Sequence, residues 1–173
     1  MNGAFLLIPF MLIRFGLLSI LNKEATRRAA HFPPMIGKEK AAYWLYQLST
    51  VAIFVYLFFL QIEIEPSWLF YTGLFIYTLG TVACTISIIN FAKPSESGIN
   101  LNGLYRISRN PMYMAYLIFF LGCVVLTKSP MLLGFVLVFQ VSTHWIILAE
   151  ERWCISNFGE KYRQYMKKVR RYI

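Results

Sequence analysis

Five long apolar segments, separated by short charged or proline-containing stretches, constrain this chain more than any other feature of its sequence. A helix rises about 1.5 Å per residue, so roughly 20 mostly apolar residues cross the hydrocarbon core of a bilayer. The chain is 58% hydrophobic and has a mean hydropathy of +0.54. We therefore predict an all-α fold, a polytopic membrane helix bundle. Its predicted spans are residues 2–21, 41–62, 67–91, 111–126 and 131–149.

The ends of these segments leave one alternative open. The bundle has four spans if segment 2–21 lies in the membrane interface. This segment lacks the basic start and the cleavage site of a signal peptide, so we expect it not to be cleaved off. The turn at 127–130 predicts that the fourth and fifth spans pack as an antiparallel hairpin. Because no repeat or linker interrupts the chain, we predict one integral-membrane domain over residues 1–173.

The positions of the basic residues predict the orientation, since short loops rich in Lys and Arg stay on the cytoplasmic side. Cations are concentrated after the first span, after the third span and in the tail, whereas the turn at 62–66 contains none. We therefore expect an outside N-terminus and a cytoplasmic C-terminus. The formal charge of +9 then lies at the membrane edge. Anionic headgroups attract such cations there, and nucleic-acid binding is not predicted.

The tail at 155–173 is too polar to cross a bilayer, but it has one apolar helical face. We expect it to form a C-terminal cytoplasmic interfacial helix. The pattern leaves open whether this helix only anchors the chain or also closes a site. The apolar face is formed by Phe158, Tyr162, Tyr165, Met166 and Val169.

The stretch GLYRISRNPMY, residues 103–113, lies where the fourth predicted span enters the membrane. Pro111 lacks an N–H group and disfavours the helical conformation at Asn110, which predicts a turn followed by a helix that begins at Pro111. The first-turn N–H groups, together with Arg106 and Arg109, could bind a carboxylate or a lipid phosphate. Ordinary membrane-edge anchoring explains the arginines and the two tyrosines of this stretch equally well.

The fifth predicted span carries polar residues near its cytoplasmic end. Gln140, His144 and Glu151 follow one helical stripe, and Thr143 and Glu150 follow the neighbouring one. Polar side chains at this depth are costly and normally face a cavity or a partner. The paired glutamates therefore predict either a charged pocket or a structural Arg–Glu clasp between helices.

Small residues cluster in the third predicted span, among them Gly80 and Thr81. Small residues let helix backbones approach closely, so helix packing explains them, and close approach of a ligand to Gly80 is the alternative. The three cysteines of the chain have no metal-ligand spacing, and no metal site is predicted.

Taken in order, these motifs resemble the integral-membrane methyltransferases, which include isoprenylcysteine carboxyl methyltransferases and phospholipid N-methyltransferases. The resemblance covers about the last hundred residues. Most members have Arg-His-Pro where this chain has Arg109-Asn110-Pro111, although phosphatidylethanolamine methyltransferases resemble it in carrying Asn-Pro-Met-Tyr. Because asparagine does not titrate near neutrality, we expect no general base at this position. The resemblance rests on Gly103-x-Tyr105-x-x-x-Arg109-Asn110-Pro111-x-Tyr113, on Glu150-Glu151, and on Phe158-Gly159-x-x-Tyr162-x-x-Tyr165.

The resemblance implies methyl transfer from S-adenosyl-L-methionine to a lipid or other hydrophobic acceptor at the cytoplasmic membrane face. The cofactor would enter from the cytoplasm and the acceptor from the bilayer. Arg106 or Arg109 would hold the methionine carboxylate or the acceptor's headgroup, and Glu150 and His144 are the candidates for removing a proton from an amine acceptor. By carry-over, the residues around the cofactor are Gly80, Thr81, Val82, Tyr105, Asn110, Tyr113, Glu150 and Glu151.

Two other function classes remain open at this stage. Membrane sterol and enone reductases resemble the same C-terminal region, which would make NADPH the cofactor and hydride transfer the reaction. A non-catalytic bundle that binds lipid or a partner protein needs only the basic tail. Cofactor binding separates the three classes.

Overall fold

The computed structural model describes residues 1–96 and 98–172, so Ser97 and Ile173, the last residue of the predicted tail, lie outside the described residues. Over the described ranges the chain forms seven main helices, a short 3-10 helix at Gly103–Arg106 and no strand, apart from two isolated β-bridges. The helices are α1 Gly3–Leu21, α2 Lys23–Ala30, α3 Lys38–Leu57, α4 Trp68–Ala92, α5 Pro111–Thr127, α6 Pro130–Phe158 and α7 Glu160–Lys168.

Three of the helices in the described chain, α1, α4 and α6, are long and apolar enough to cross a membrane. Helix α5 is apolar but has only 17 residues. Helix α3 has 20 residues, and its first turn is charged. The all-helical prediction is confirmed, while crossing by all five predicted spans remains a proposal.

Helix α3 ends at Leu57, earlier than the predicted boundary at residue 62, because the following residues pair with the N-terminus. The Gly3 N–H donates to the Leu60 carbonyl at 2.8 Å, and the Ile62 N–H donates to the Met1 carbonyl at 2.7 Å. These partners are far apart in sequence, so local hydrophobicity does not indicate where the helix ends.

Helix α6 continues to Phe158 instead of ending near residue 149. Gly159, with φ of 55°, then breaks the helix, and α7 follows as a short amphipathic helix. Its buried Tyr162 and Tyr165 pack with Ile99 in one apolar cluster. The apolar face of the predicted tail therefore packs against the protein, and the helix is shorter than the predicted segment.

The helices pair as α4 with α5 and α3 with α6. The expected hairpin of α5 and α6 is joined by its turn, but each of these helices makes its most extensive contacts with another partner. Glycines explain the close pairing of α4 and α5. A Cβ atom at Gly80 would collide with the backbone of Phe119, and one at Gly122 would collide with the backbone of Tyr77.

Phe10 of α1 joins the two helix pairs through an aromatic cluster. Its ring lies 5.2 Å from that of Tyr116, 5.5 Å from that of Phe120 and 5.9 Å from that of Phe54, measured between centroids. The four rings of this cluster form part of the wall of the cavity described next.

Candidate active site

A cavity of about 850 Å³ is lined by residues of all seven helices, α4 contributing Phe91 near its end. Its volume falls near the upper end of the roughly 300–1,000 Å³ typical of ligand pockets. Its wall combines aromatic rings with charged groups, which suits a ligand that has both apolar and ionic parts. The charged residues that line it are Arg14, Glu24, Arg27, Arg28, Arg109 and Glu150.

Glu150 and Tyr113 meet inside this cavity. Pro111 begins α5, as predicted, and places Tyr113 in its first turn. The Tyr113 hydroxyl donates to Glu150 Oε1 at 2.6 Å, whereas no side chain of the described residues donates to Oε2. Glu150 thus presents a carboxylate oxygen to any ligand in the cavity.

The neighbouring Glu151 is buried outside the cavity wall and forms an ion-pair clasp. Its Oε1 lies 2.8 Å from Arg109 Nη2, and its Oε2 lies 2.8 Å from Arg171 Nη2. The side chains of Arg109 and Glu151 are only 8% and 5% exposed. The paired glutamates predicted either a charged pocket or an Arg–Glu clasp, and both occur. Glu150 lines the pocket, and Glu151 forms the clasp.

The end of the chain holds the motif turn in place. The Arg109 N–H donates to the Arg170 carbonyl at 2.9 Å, and Arg109 Nη1 donates to the Met166 carbonyl at 3.0 Å. Asn110 Nδ2 donates to the Arg171 carbonyl at 3.1 Å. These bonds fix Arg109 and Asn110 at the cavity wall, which both residues line.

Gly103 and Tyr105 form the start of the motif. Gly103 has φ of 56°, and a Cβ atom there would collide with the Asn90 side chain, whose Oδ1 accepts from the Leu104 N–H at 3.0 Å. Tyr105 is 7% exposed, and its carbonyl accepts from the Tyr165 hydroxyl at 2.7 Å. Burial raises the pKa of Tyr105 well above its ordinary value, so its phenol in the cavity wall stays neutral.

Three buried polar atoms in the cavity wall have no hydrogen-bond partner among the described residues: Asn100 Oδ1, Arg109 Nε and Tyr116 Oη. Buried polar groups are normally hydrogen-bonded, and an unpaired one costs about 1–3 kcal/mol. One acceptor, one cationic donor and one hydroxyl in the same cavity therefore indicate a polar ligand.

Gly80, Thr81 and Val82 do not line the cavity. Gly80 packs against α5, and the Thr81 hydroxyl donates to the Tyr77 carbonyl at 2.8 Å. Val82 is 50% exposed. The structure therefore places all three in or beside helix packing, away from the other predicted cofactor residues.

His144 also lies outside the cavity lining. Its Nδ1 is 2.6 Å from the Tyr172 hydroxyl. The buried Thr143 hydroxyl donates to the Phe139 carbonyl of its own helix. Of the polar stripes predicted on α6, only Glu150 reaches the cavity.

Sequence reasoning missed the contribution of the first three helices. Arg14, Arg28, Tyr46 and Gln47 line the cavity, although they lie far from the C-terminal motifs. Arg14 could have been found, because it is a charge within an otherwise apolar segment, and such charges normally face a cavity or a partner.

Comparisons with known proteins identify a family and one relative. The model of the phospholipid methyltransferase family matches residues 68–161, which is more than half of the chain. A methanethiol S-methyltransferase from Pseudomonas deceptionensis is 36% identical over 81 residues, covering 45% of this chain. The matched part is 29% of that relative's length, so the chain spans less than a third of it. With its apolar helices and this family match, the chain belongs to the integral-membrane phospholipid methyltransferase family.

Proposed function

We propose that this protein binds S-adenosyl-L-methionine in the cavity and transfers its methyl group to a hydrophobic or amphiphilic acceptor at the cytoplasmic membrane face. Family membership supports methyl transfer. The observation that carries the proposal is the Glu150–Tyr113 pair in a cavity wall that also contains three polar atoms without a partner in the described part of the chain.

The residues of the cavity fit this cofactor, which presents an ammonium group, a carboxylate, ribose hydroxyls and a sulfonium. Glu150 Oε2 and Asn100 Oδ1 are acceptors that suit the ammonium group or the hydroxyls. Arg109 Nε is a donor that suits the carboxylate. The faces of Tyr113 and Tyr116 suit a cationic sulfur.

The bound cofactor supplies an activated methyl group, so the chain needs no covalent nucleophile. The protein then has to orient the acceptor and exclude water, which the aromatic wall of the cavity favours. An amine or thiol acceptor loses a proton on methylation, and Glu150 Oε2 is a cavity group that can accept it, since Glu24, the other carboxylate of the cavity wall, is exposed.

A small thiol is the second candidate acceptor. The relative from Pseudomonas deceptionensis is a methanethiol S-methyltransferase, and its matched region is 36% identical to this chain. Family membership favours methyl transfer to either acceptor over hydride transfer or a non-catalytic bundle.

Methyl transfer is tested with the purified protein in lipid nanodiscs and an isotopically labelled methyl donor. Mass spectrometry should find the label in extracted lipids or in added methanethiol, which identifies the acceptor. Glu150→Gln should lower the rate by at least about tenfold, as expected for loss of a desolvated charge, whereas Glu160→Gln, at an exposed acid of α7, should not. The absence of any labelled product, together with no S-adenosylhomocysteine binding, would reject the proposal.

A further inference from the structure

Arg14 of α1 and Arg28 of α2 line the cavity, although both precede the region that the family match covers. Both side chains are only partly exposed. They add positive charge to a site whose other charged residues are Glu24 and Arg27 of α2, Arg109 just before α5, and Glu150 of α6. The N-terminal helices thus contribute charged groups to the cavity wall.

Neither arginine has an acidic partner within residues 1–96 and 98–172. Arg14 Nη2 donates to the Ala29 carbonyl at 2.8 Å, and Arg28 Nη2 donates to the Phe91 carbonyl at 3.2 Å. A guanidinium carries five N–H donors, so most of the donors of each side chain remain free for a ligand.

The backbone around Arg14 is also unusual. Residues Leu12–Leu17 form a π-helical stretch within α1. Such stretches are rare and frequently occur at functional sites, where the wider turn redirects side chains. A charged side chain in an apolar segment is costly unless it faces a cavity or a partner. The stretch therefore favours a role for Arg14 in the cavity over one as a surface anchor.

The charge balance of the cavity indicates which sign of charge the methyl acceptor carries. Arg109 shares the carboxylate of Glu151 with Arg171, and the other charged residues of the cavity are Arg14, Arg27 and Arg28 against Glu24 and Glu150. S-adenosyl-L-methionine would add further positive charge, since its sulfonium and ammonium groups outweigh its carboxylate. Like charges repel strongly where water is excluded. An acceptor that brings a negative charge would relieve this repulsion.

We propose that Arg14 and Arg28 form an anion-binding site for a phosphate or carboxylate group of the methyl acceptor, whose apolar part lies against Phe10, Phe54 and Phe120. All three rings line the same cavity. This inference rests on the proposed methyl transfer and specifies its acceptor as an anionic amphiphile, in preference to a small neutral thiol.

Dodecyl phosphate is a suitable probe, because it joins a phosphate to an apolar chain. Titration into the protein in a neutral detergent should show binding that Arg14→Gln and Arg28→Gln each weaken by at least about tenfold, as for a lost charge-assisted hydrogen bond. Arg14→Lys and Arg28→Lys keep the charge but lose the fork of donors, so they should bind more weakly than the parent and more tightly than the Gln variants. Arg163→Gln, at an exposed arginine of α7, is the matched control and should bind like the parent.

Two results would overturn the site. One is unchanged binding in both Gln variants. The other is an equal loss in the Lys and Gln variants accompanied by a lower thermal midpoint, which would give the arginines a structural role. Inorganic phosphate should bind far more weakly than dodecyl phosphate. Equal affinity for the two would identify a site for free anions and would overturn the proposal that the ligand is an amphiphile.

S-adenosylhomocysteine binding separates this inference from the proposed function. The Gln variants should bind it within about twofold of the parent, since the arginines serve the acceptor. An equal loss of S-adenosylhomocysteine and dodecyl phosphate would assign the arginines to the cofactor and overturn the inference. A parent that binds dodecyl phosphate through Arg14 and Arg28 but no S-adenosylhomocysteine would support the anion site while contradicting methyl transfer.

Discussion

The Tyr113 hydroxyl donates a 2.6 Å hydrogen bond to Glu150 Oε1 and thereby connects the first turn of α5 to α6 inside the cavity. The next residue, Glu151, pairs instead with Arg109 and Arg171 outside the cavity wall. One step along a helix turns a side chain by about 100°, so adjacent glutamates face different surroundings. Glu150 is therefore available to a ligand, whereas Glu151 holds the motif turn and the end of the chain together.

Replacing Glu150 by Gln should weaken S-adenosylhomocysteine binding by about tenfold or more, because it removes the carboxylate charge but keeps an oxygen for Tyr113. Tyr113→Phe should cause a smaller loss, since the carboxylate remains. Calorimetry on the detergent-purified protein measures both, with Glu160→Gln as the exposed control. A Glu150→Gln variant that binds like the parent would reject the cofactor role of this residue.

Replacing Glu151 by Gln should lower the free energy of unfolding by about 3–5 kcal/mol, because a buried arginine then lacks its carboxylate. A denaturant titration in mixed micelles measures this change. Glu63→Gln is the matched control, since Glu63 pairs with Lys128 at 2.8 Å but is well exposed, and we expect no measurable change there. Equal effects of the two substitutions would contradict a buried clasp.

Gly80→Ala and Gly122→Ala should each destabilise the protein by about 1–3 kcal/mol, because the added methyl group forces α4 and α5 apart. Gly134→Ala is the control, since a Cβ atom there meets nothing within 4 Å. It should leave the thermal midpoint unchanged or raise it. If Gly80→Ala left stability intact but abolished S-adenosylhomocysteine binding, Gly80 would belong to the cofactor site rather than to helix packing.

His144→Ala and Tyr172→Phe should lower stability by a similar amount, about 1 kcal/mol, because each removes the same hydrogen bond. The double variant should show little further loss. Thermal unfolding of the parent, the two single variants and the double variant measures these changes in stability. The affinity for S-adenosylhomocysteine should be the same in all four proteins. A loss of turnover in His144→Ala that Tyr172→Phe does not reproduce would restore the catalytic role that the sequence suggested.

The proposed orientation places the turn at 62–66 outside and α7 in the cytoplasm. In a variant without native cysteines, Glu65→Cys should react with an impermeant thiol reagent in intact cells, whereas Lys167→Cys should be protected. Both positions are exposed, so burial does not decide the result. The reverse pattern would contradict the orientation and would place the cavity mouth on the wrong side for a cytoplasmic cofactor.

Local sequence signals predicted the features that depend on neighbouring residues. Apolar segments predicted the positions of the long helices, because each helix satisfies its backbone hydrogen bonds within its own segment. Pro111 predicted where α5 begins, since its ring already has the required backbone angle. The order of the C-terminal motifs was also enough to predict the family that the comparison then matched.

The tertiary structure decided the features that depend on residues distant in sequence. The end of α3 depends on pairing of residues 58–62 with the N-terminus, and the position of Arg109 depends on backbone carbonyls about 60 residues away. Helical spacing separates Glu150 from Glu151 but cannot say which of them faces a cavity. That assignment, and the presence of Arg14 and Arg28 in the same cavity wall as Glu150, follow only from how the helices pack, because burial and charge pairing depend on all the surrounding elements at once.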